Sequence, residues 1–110
     1  SHARLAPALV AMHDAPGEPW PLERMAERAA MSRTSFANTF REVLGQTPAD
    51  YLSDWRIALA QSRLRQGQPI KSMAEQLGYA NPSALSRAFT AKVGRSPRDW
   101  LTNAAVQARG

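Results

Sequence analysis

The 110-residue sequence predicts an all-α protein in which two similar three-helix units are joined by a long linker helix. Apolar residues recur at helical spacing, and no segment alternates apolar and polar residues long enough to predict a strand. The chain also repeats once, which constrains its architecture. Met25-Ala26-Glu27 recurs as Met73-Ala74-Glu75, and Thr47-Pro48-Ala49-Asp50-Tyr51-Leu52 corresponds to Ser96-Pro97-Arg98-Asp99-Trp100-Leu101. The sequence therefore predicts about seven helices, in two copies of one arrangement.

The first unit begins with two helices separated by a pair of helix-breaking residues. A helix over residues 4–14 is expected to end before Pro16-Gly17, because this pair breaks helices. The next helix is predicted over residues 22–29. Its apolar residues stand at positions i, i+3, i+4 and i+7, namely Leu22, Met25, Ala26 and Ala29. This spacing predicts that all four lie on one buried face.

A third helix completes the first unit. Ser32 is a good N-cap, since its hydroxyl oxygen can accept a hydrogen bond from an amide of the first turn. The helix is predicted to run to residue 44 with Phe36 and Phe40 in its apolar stripe, and Gly45 follows where glycine allows a left-handed turn. Two helices joined by a short turn form a helix-turn-helix unit.

The linker helix is predicted over residues 48–66. Thr47 can cap it, and Pro48 suits its first position because no amide is needed there. Its apolar residues wrap around more than one face, which suits a helix contacted from two sides. The predicted organisation is a first helix-turn-helix subdomain over residues 3–52, a shared linker helix over 48–66, and a second helix-turn-helix subdomain over 67–108.

The second unit repeats the same signals. A short helix is predicted over residues 70–77, and Gly78 provides the turn that follows. Asn81-Pro82 starts a helix that runs to residue 93, and Ser96-Pro97 starts a last helix toward residue 108. Both units are therefore expected to be homeodomain-like trihelical arrangements.

Charge indicates a polyanionic partner. The chain has a net charge of +5 and an isoelectric point of about 10.7, which favour nucleic acid or an anionic membrane surface. Residues 1–55 carry five arginines and seven acidic residues, whereas residues 56–110 carry nine lysines and arginines and two acidic residues. We therefore expect the anion-binding surface to be centred on the second half.

The sequence lacks the residues that a disulfide-rich protein, a metal site, an enzyme or a membrane span would need. Without cysteine, no disulfide framework, thiolate zinc site or cysteine nucleophile can be built. His13 has no second histidine or cysteine for a metal set, and no paired base and nucleophile, phosphate-binding glycine loop or carboxylate pair is apparent. No apolar run approaches the roughly 18 residues of a membrane span. We predict a cytoplasmic protein that is not an enzyme and uses no cofactor or metal.

The second helix of each helix-turn-helix unit is the one that such proteins lay in the DNA major groove. If its apolar stripe faces the core, the helical spacing exposes a set of small and polar residues on the other side. Arginine can pair with guanine O6 and N7, and asparagine with adenine N6 and N7. The predicted base-reading residues are Thr34, Ala37 and Asn38 in the first unit and Ser83, Ser86 and Arg87 in the second. An ordinary solvated face is the alternative, especially for the serines and threonine.

Further residues are candidates for phosphate contacts, which position a protein without reading sequence. They comprise exposed basic residues, helix-start residues whose neighbouring amides can donate, and one further threonine: Ser32, Arg33, Arg41, Asn81, Thr90, Lys92, Arg95, Ser96 and Arg98. Arg56 has two interpretations of equal weight. It can contact phosphate, or it can pair internally with Asp50 or Asp54. The aromatic residues lie on the inward stripes and are expected to pack the core.

Residues 22–101 resemble the C-terminal DNA-binding domain of AraC/XylS-family transcription regulators. The resemblance is carried by Ala29-Ala30-Met31-Ser32-Arg33-Thr34-Ser35-Phe36, Phe40-Arg41-Glu42-Val43-Leu44-Gly45-Gln46-Thr47-Pro48, Leu77-Gly78-Tyr79, Leu85-Ser86-Arg87-Ala88-Phe89 and Ser96-Pro97-Arg98-Asp99-Trp100. It implies sequence-specific binding of double-stranded promoter or operator DNA, with two recognition helices in successive major-groove segments, roughly 34 Å apart.

The resemblance also implies partners beyond DNA. The sequence is similar to the family members that carry an N-terminal effector-sensing domain of cupin type, so we expect such a domain before residue 3. We also expect RNA polymerase as a further partner. The chain departs from the family pattern at Asn38 and Thr90, where longer or basic residues are common, and at Ala30, which replaces a turn glycine. The alternative function is a helical protein-interaction module that contacts RNA polymerase or a partner domain.

Overall fold

The structure is a computed structural model that describes residues 2–109. Within that range its regular elements are seven α-helices and one 3-10 turn, so the all-α prediction is confirmed. The helices are α1 His2–Asp14, α2 Leu22–Arg28, α3 Arg33–Leu44, α4 Pro48–Arg65, α5 Ile70–Met73, α6 Pro82–Val93 and α7 Pro97–Arg109, with the 3-10 turn at Glu75–Leu77. The chain divides into two compact units, unit 1 up to Trp55 and unit 2 from Arg56, so the division falls within α4.

The core of unit 1 is built from the apolar faces of α1, α2, α3 and the start of α4. Its fully buried side chains include Leu5, Met12, Phe36 and Phe40. The rings of Phe36 and Phe40 lie 5.6 Å apart, and that of Tyr51 meets Phe40 edge-on at 5.4 Å. Edge-to-face packing of this kind fixes the rotation of α3 about its own axis.

The core of unit 2 is built in the same way from α4, α5, α6 and α7. Leu77, Leu85 and Phe89 are fully buried. The Trp100 ring of α7 meets Phe89 edge-on, at 5.8 Å between the ring centres. The apolar stripe of α6 is therefore held against the core as that of α3 is in unit 1.

Side-chain caps and glycines set the ends of these helices. Ser35 N donates to Ser32 Oγ at 3.2 Å at the start of α3, and Ala84 N donates to Asn81 Oδ1 at 2.8 Å at the start of α6. The predicted caps at Thr47 and Ser96 are present as well, since each accepts at 3.1 Å from the amide three residues later. Gly45 ends α3 in the left-handed conformation, as predicted, and Gly94 ends α6 in the same way.

Two sequence predictions need correction. The helix predicted over residues 70–77 is divided into α5 and the 3-10 turn, because the amides of Leu77 and Gly78 bond three residues back, to Ala74 O and Glu75 O, and this tightens the last turn. Leu22 was expected in the buried face of α2, but it is 37% exposed. It is the first residue of its helix, and it lines a surface concavity together with the partly buried Ala37 on α3.

The turns of the two helix-turn-helix units have the same geometry with different residues. Met31 N donates to Ala26 O and Ala30 N to Glu27 O, both at 3.0 Å, which is the Schellman pattern of helix ends. In unit 2, Tyr79 N and Gly78 N make the corresponding bonds. The left-handed residue is glycine in unit 2, but in unit 1 it is Ala30 with φ 54°, the one non-glycine residue of positive φ in the described chain.

The second turn is also contacted by Arg56 from α4. A Cβ atom placed on Gly78 would lie 2.6 Å from Arg56 Nη2 and 2.7 Å from its Cζ. The guanidinium also lies 5.9 Å from the centre of the Tyr79 ring. Arg56 is half-buried, and this burial lowers its pKa. These contacts favour the internal role of Arg56 over a phosphate contact, while an acidic partner for it stays a prediction.

Replacing Ala30 by glycine is expected to stabilise the protein. The left-handed conformation costs an alanine about 1–2 kcal/mol, and the greater freedom of glycine in the unfolded chain offsets about 0.4–1 kcal/mol of that gain. Urea denaturation should therefore show a free energy of unfolding raised by roughly 0.5–1 kcal/mol for Ala30→Gly. Ala29→Gly is the control, because Ala29 has φ −91° and no such strain. A loss of stability in Ala30→Gly would contradict the account.

The contact between Arg56 and the second turn can be measured with two matched glycines. Gly78 has φ +89° and Gly94 has φ +88°, but a Cβ on Gly94 would meet nothing within 4 Å. Gly78→Ala should destabilise more than Gly94→Ala, by about 0.5–1 kcal/mol, because it displaces the guanidinium from the turn and from Tyr79. In an Arg56→Ala background the two substitutions should cost the same. A difference that persists without Arg56 would show that another contact causes it.

Candidate nucleic-acid interface

The predicted site residues are all accessible to solvent. Of the base-reading candidates, Thr34, Asn38, Ser83 and Arg87 are exposed, and Ala37 and Ser86 are half-buried. Among the phosphate candidates Ser96 is half-buried and the other eight are exposed. Because the described chain buries no polar or charged residue, these groups are not part of its core.

On α3 the reading candidates lie opposite the aromatic stripe. Phe36 and Phe40 are fully buried, and the helix therefore turns Thr34, Ala37 and Asn38 outward. These three residues line one concavity of about 360 Å³ together with Arg33 and Leu22. The structure thus brings the predicted readers of unit 1 into one surface, which we call the α3 reading face.

A second concavity, of about 320 Å³, adjoins the α3 reading face. Leu22, Ala37 and Asn38 line both concavities. The second one is completed by Arg41 and by residues of the neighbouring elements, namely Trp20, Met25, Thr47, Pro48 and Ala49. Leu22 was not predicted to be part of this surface, because its spacing in α2 is the same as that of the buried residues.

On α6 the reading candidates lie opposite Leu85 and Phe89, which are fully buried. Ser83, Ser86 and Arg87 form the α6 reading face. Within the described chain Arg87 has no hydrogen-bond or ion-pair partner, so all the donors of its guanidinium are available.

Thr90 lies one turn beyond Ser86 on α6, and its hydroxyl is hydrogen-bonded within the helix. Its Oγ1 donates to the backbone oxygen of Ser86 at 2.9 Å. A phosphate oxygen can only accept, so a phosphate contact from Thr90 requires exchange of this internal bond. The three helix-start candidates differ. Ser32, Asn81 and Ser96 use an oxygen as the cap acceptor, and each keeps a hydroxyl or amide hydrogen that can be donated.

The remaining aromatic and histidine residues have packing roles. Trp20 is largely buried and its Nε1 donates to Ala15 O at 2.8 Å. The exposed His13 makes a 2.8 Å hydrogen bond through Nε2 to the Tyr51 hydroxyl, and its ring lies 4.6 Å from that of Trp55. Over residues 2–109 no group of three or more His, Cys, Asp or Glu is placed to hold a metal ion. In the same range no helix is both long and apolar enough to cross a membrane.

Comparison with known proteins gives consistent results. A family model described as a helix-turn-helix domain matches residues 25–103. A putative AraC-like transcription regulator of Streptomyces lividans is 40% identical over 97 residues, which cover 87% of this chain and 32% of that protein. The regulatory protein SoxS of Escherichia coli K12 is 31% identical over 102 residues, which cover 91% of this chain and 95% of SoxS.

Solved structures agree with the sequence comparison. The DNA-binding domain of the global transcriptional factor AdpA, determined in complex with a target DNA, superimposes with a TM-score of 0.79 at 30% identity. The match covers 96% of this chain and 95% of that one. The chain spans about a third of the length of several of the curated relatives that it matches. From these matches and from its two helix-turn-helix units, the chain belongs to the family of AraC-type helix-turn-helix DNA-binding domains.

Proposed function

We propose that this chain binds double-stranded operator DNA in a sequence-specific way, with α3 and α6 in successive major-groove segments, and thereby directs a transcription regulator to its promoter. The observation that carries the proposal is the α6 reading face. An unpartnered Arg87 stands there beside the small Ser83 and Ser86, opposite the buried Leu85 and Phe89. Small neighbours let a helix approach the base edges closely enough for an arginine to pair with guanine.

The equivalent positions of the two helices support a bipartite reader. Thr34, Ala37 and Asn38 of α3 match Ser83, Ser86 and Arg87 of α6 in register, at a constant offset of 49 residues (34 to 83). Both sets lie opposite buried residues of their own unit. The AdpA domain, which was determined with its target DNA, shares this fold.

We assign the positioning of the chain on DNA to the phosphate candidates, with Arg33 and Arg41 in α3, and with Arg95 and Arg98 after α6. The excess of basic residues in unit 2 supports a larger share of the electrostatic affinity for that unit. Exposed arginines at the ends of the reading helices can neutralise phosphates without reading the bases.

The whole protein is proposed to be a cytoplasmic transcription regulator. Relatives such as that of Streptomyces lividans are about three times as long as the matched region, which supports an additional N-terminal effector-sensing domain, for which we keep the cupin type as the proposal. RNA polymerase is the second proposed partner. SoxS supports a regulator made of this domain alone as the other arrangement, because the match covers 95% of that protein.

Arg87→Ala tests the reading role. The operator is first obtained by enrichment of random duplexes with the protein, and dissociation constants are then measured by fluorescence anisotropy for that duplex and its single-base variants. Arg87→Ala should lose preference at one guanine position, at a cost of about 1–3 kcal/mol, because the bidentate contact is removed. Preferences elsewhere in the site should remain.

Arg95→Ala is the matched control for charge. It should weaken binding to all duplexes alike and lower the slope of log K against log salt by about one. If Arg87→Ala instead weakened every duplex equally, Arg87 would be a phosphate contact and the assignment of the α6 reading face would fail. Binding of a protein partner together with salt-insensitive, unselective DNA binding would favour the interaction-module alternative.

A further inference from the structure

The concavities on α3 contain an apolar residue that core packing does not explain. Leu22 is 37% exposed, and the described chain exposes only two other large hydrophobic residues, Val10 and Val106. Neither of those lines the concavities beside α3. Leu22 lies at a surface that the proposed function places against DNA.

The equivalent position in unit 2 is partly buried. The residue equivalent to Leu22 is Ile70, 48 positions later, and it packs against the core of its unit. The residue equivalent to Ala37 is Ser86, which is polar. Unit 1 therefore presents an exposed leucine and an alanine where unit 2 presents a partly buried isoleucine and a serine.

Leu22 and Ala37 share an apolar surface with Met25 and Trp20, and these two neighbours are held in place. Met25 is buried at 2% exposure and Trp20 at 8%. The Trp20 indole is held by its hydrogen bond to Ala15 O, and the guanidinium of Arg24 lies 4.0 Å from the centre of its ring. Arg24 is held in turn by Glu18, since Nη2 and Oε1 are 2.6 Å apart. The surface is therefore preformed.

The rim of this surface is polar and cationic. Arg33 and Arg41 stand on it, and Asn38 offers both a donor and an acceptor to a base edge. The occupant should thus be a polyanion that presents an apolar group beside hydrogen-bonding edges. In the major groove of DNA that group is the C5-methyl of thymine.

We propose that Leu22 and Ala37 form a contact site for the 5-methyl group of one thymine in the operator segment read by α3. This inference rests on the proposed function, and it names Leu22, which lies outside the recognition helix, as a specificity-determining residue. It also explains why Ala37 is small, since a longer side chain at this position would fill the surface.

Replacement of each operator thymine by deoxyuridine tests the proposal, because it removes one methyl group and keeps the base pair. With the unmodified protein, one replacement should weaken binding about fourfold, as the burial of one methyl-sized group predicts. The Leu22→Ala variant should bind the thymine duplex about as weakly as the unmodified protein binds the deoxyuridine duplex. It should not respond further to that replacement.

Two variants control for folding and for non-specific apolar effects. Leu22→Met conserves volume and should keep the response to deoxyuridine. Val10→Ala truncates a more exposed apolar residue of α1, outside the concavities, and should leave every dissociation constant unchanged. Thermal unfolding of each variant shows whether it is folded.

The outcomes separate this inference from the proposed function. If the protein binds DNA selectively but Leu22→Ala abolishes none of its responses to deoxyuridine, the thymine site is overturned and the proposed function stands. An enriched operator without a thymine preference overturns it as well. A folded protein with no sequence-selective DNA binding overturns both.

Discussion

The burial of one apolar stripe on each reading helix is the interaction on which the site depends. Phe36 and Phe40 on α3, and Leu85 and Phe89 on α6, have no exposed surface. Burying a side chain of this size stabilises a fold by about 1.5–3 kcal/mol, so each helix is held in one rotation about its axis. Because residues on the far side of a helix follow from that rotation, the core determines which side chains can meet a base.

The two units share the same helix starts and ends, but their outward-facing side chains differ. Capped starts and left-handed glycine ends recur at the same positions of α3 and α6. The outward residues differ, and unit 1 presents Asn38 beside the apolar Leu22 and Ala37, whereas unit 2 presents Arg87 beside two serines. A bipartite reader built this way can recognise two different half-sites with a single chain.

Local signals predicted most of the fold. The caps at Ser32 and Asn81 and the glycine ends were predictable because each depends on a few neighbouring residues. The exposure of Leu22 was not, because it depends on how α2 packs against residues distant in the sequence. The contact of Arg56 with Gly78 was missed for the same reason, since it joins residues 22 positions apart (56 to 78). Side-chain identity predicted which residues face outward, but not which of them share a surface.

Amide chemical-shift mapping by NMR tests the central claim most directly, and a chain of 12.1 kDa is well suited to it. On addition of the enriched operator duplex, the largest shifts should fall in residues 32–41 and 81–90, with a further shift at Leu22. The outer face of α1 around Val10 should be unaffected. Shifts concentrated on α1 and the end of α7, with the two reading helices unchanged, would contradict the account.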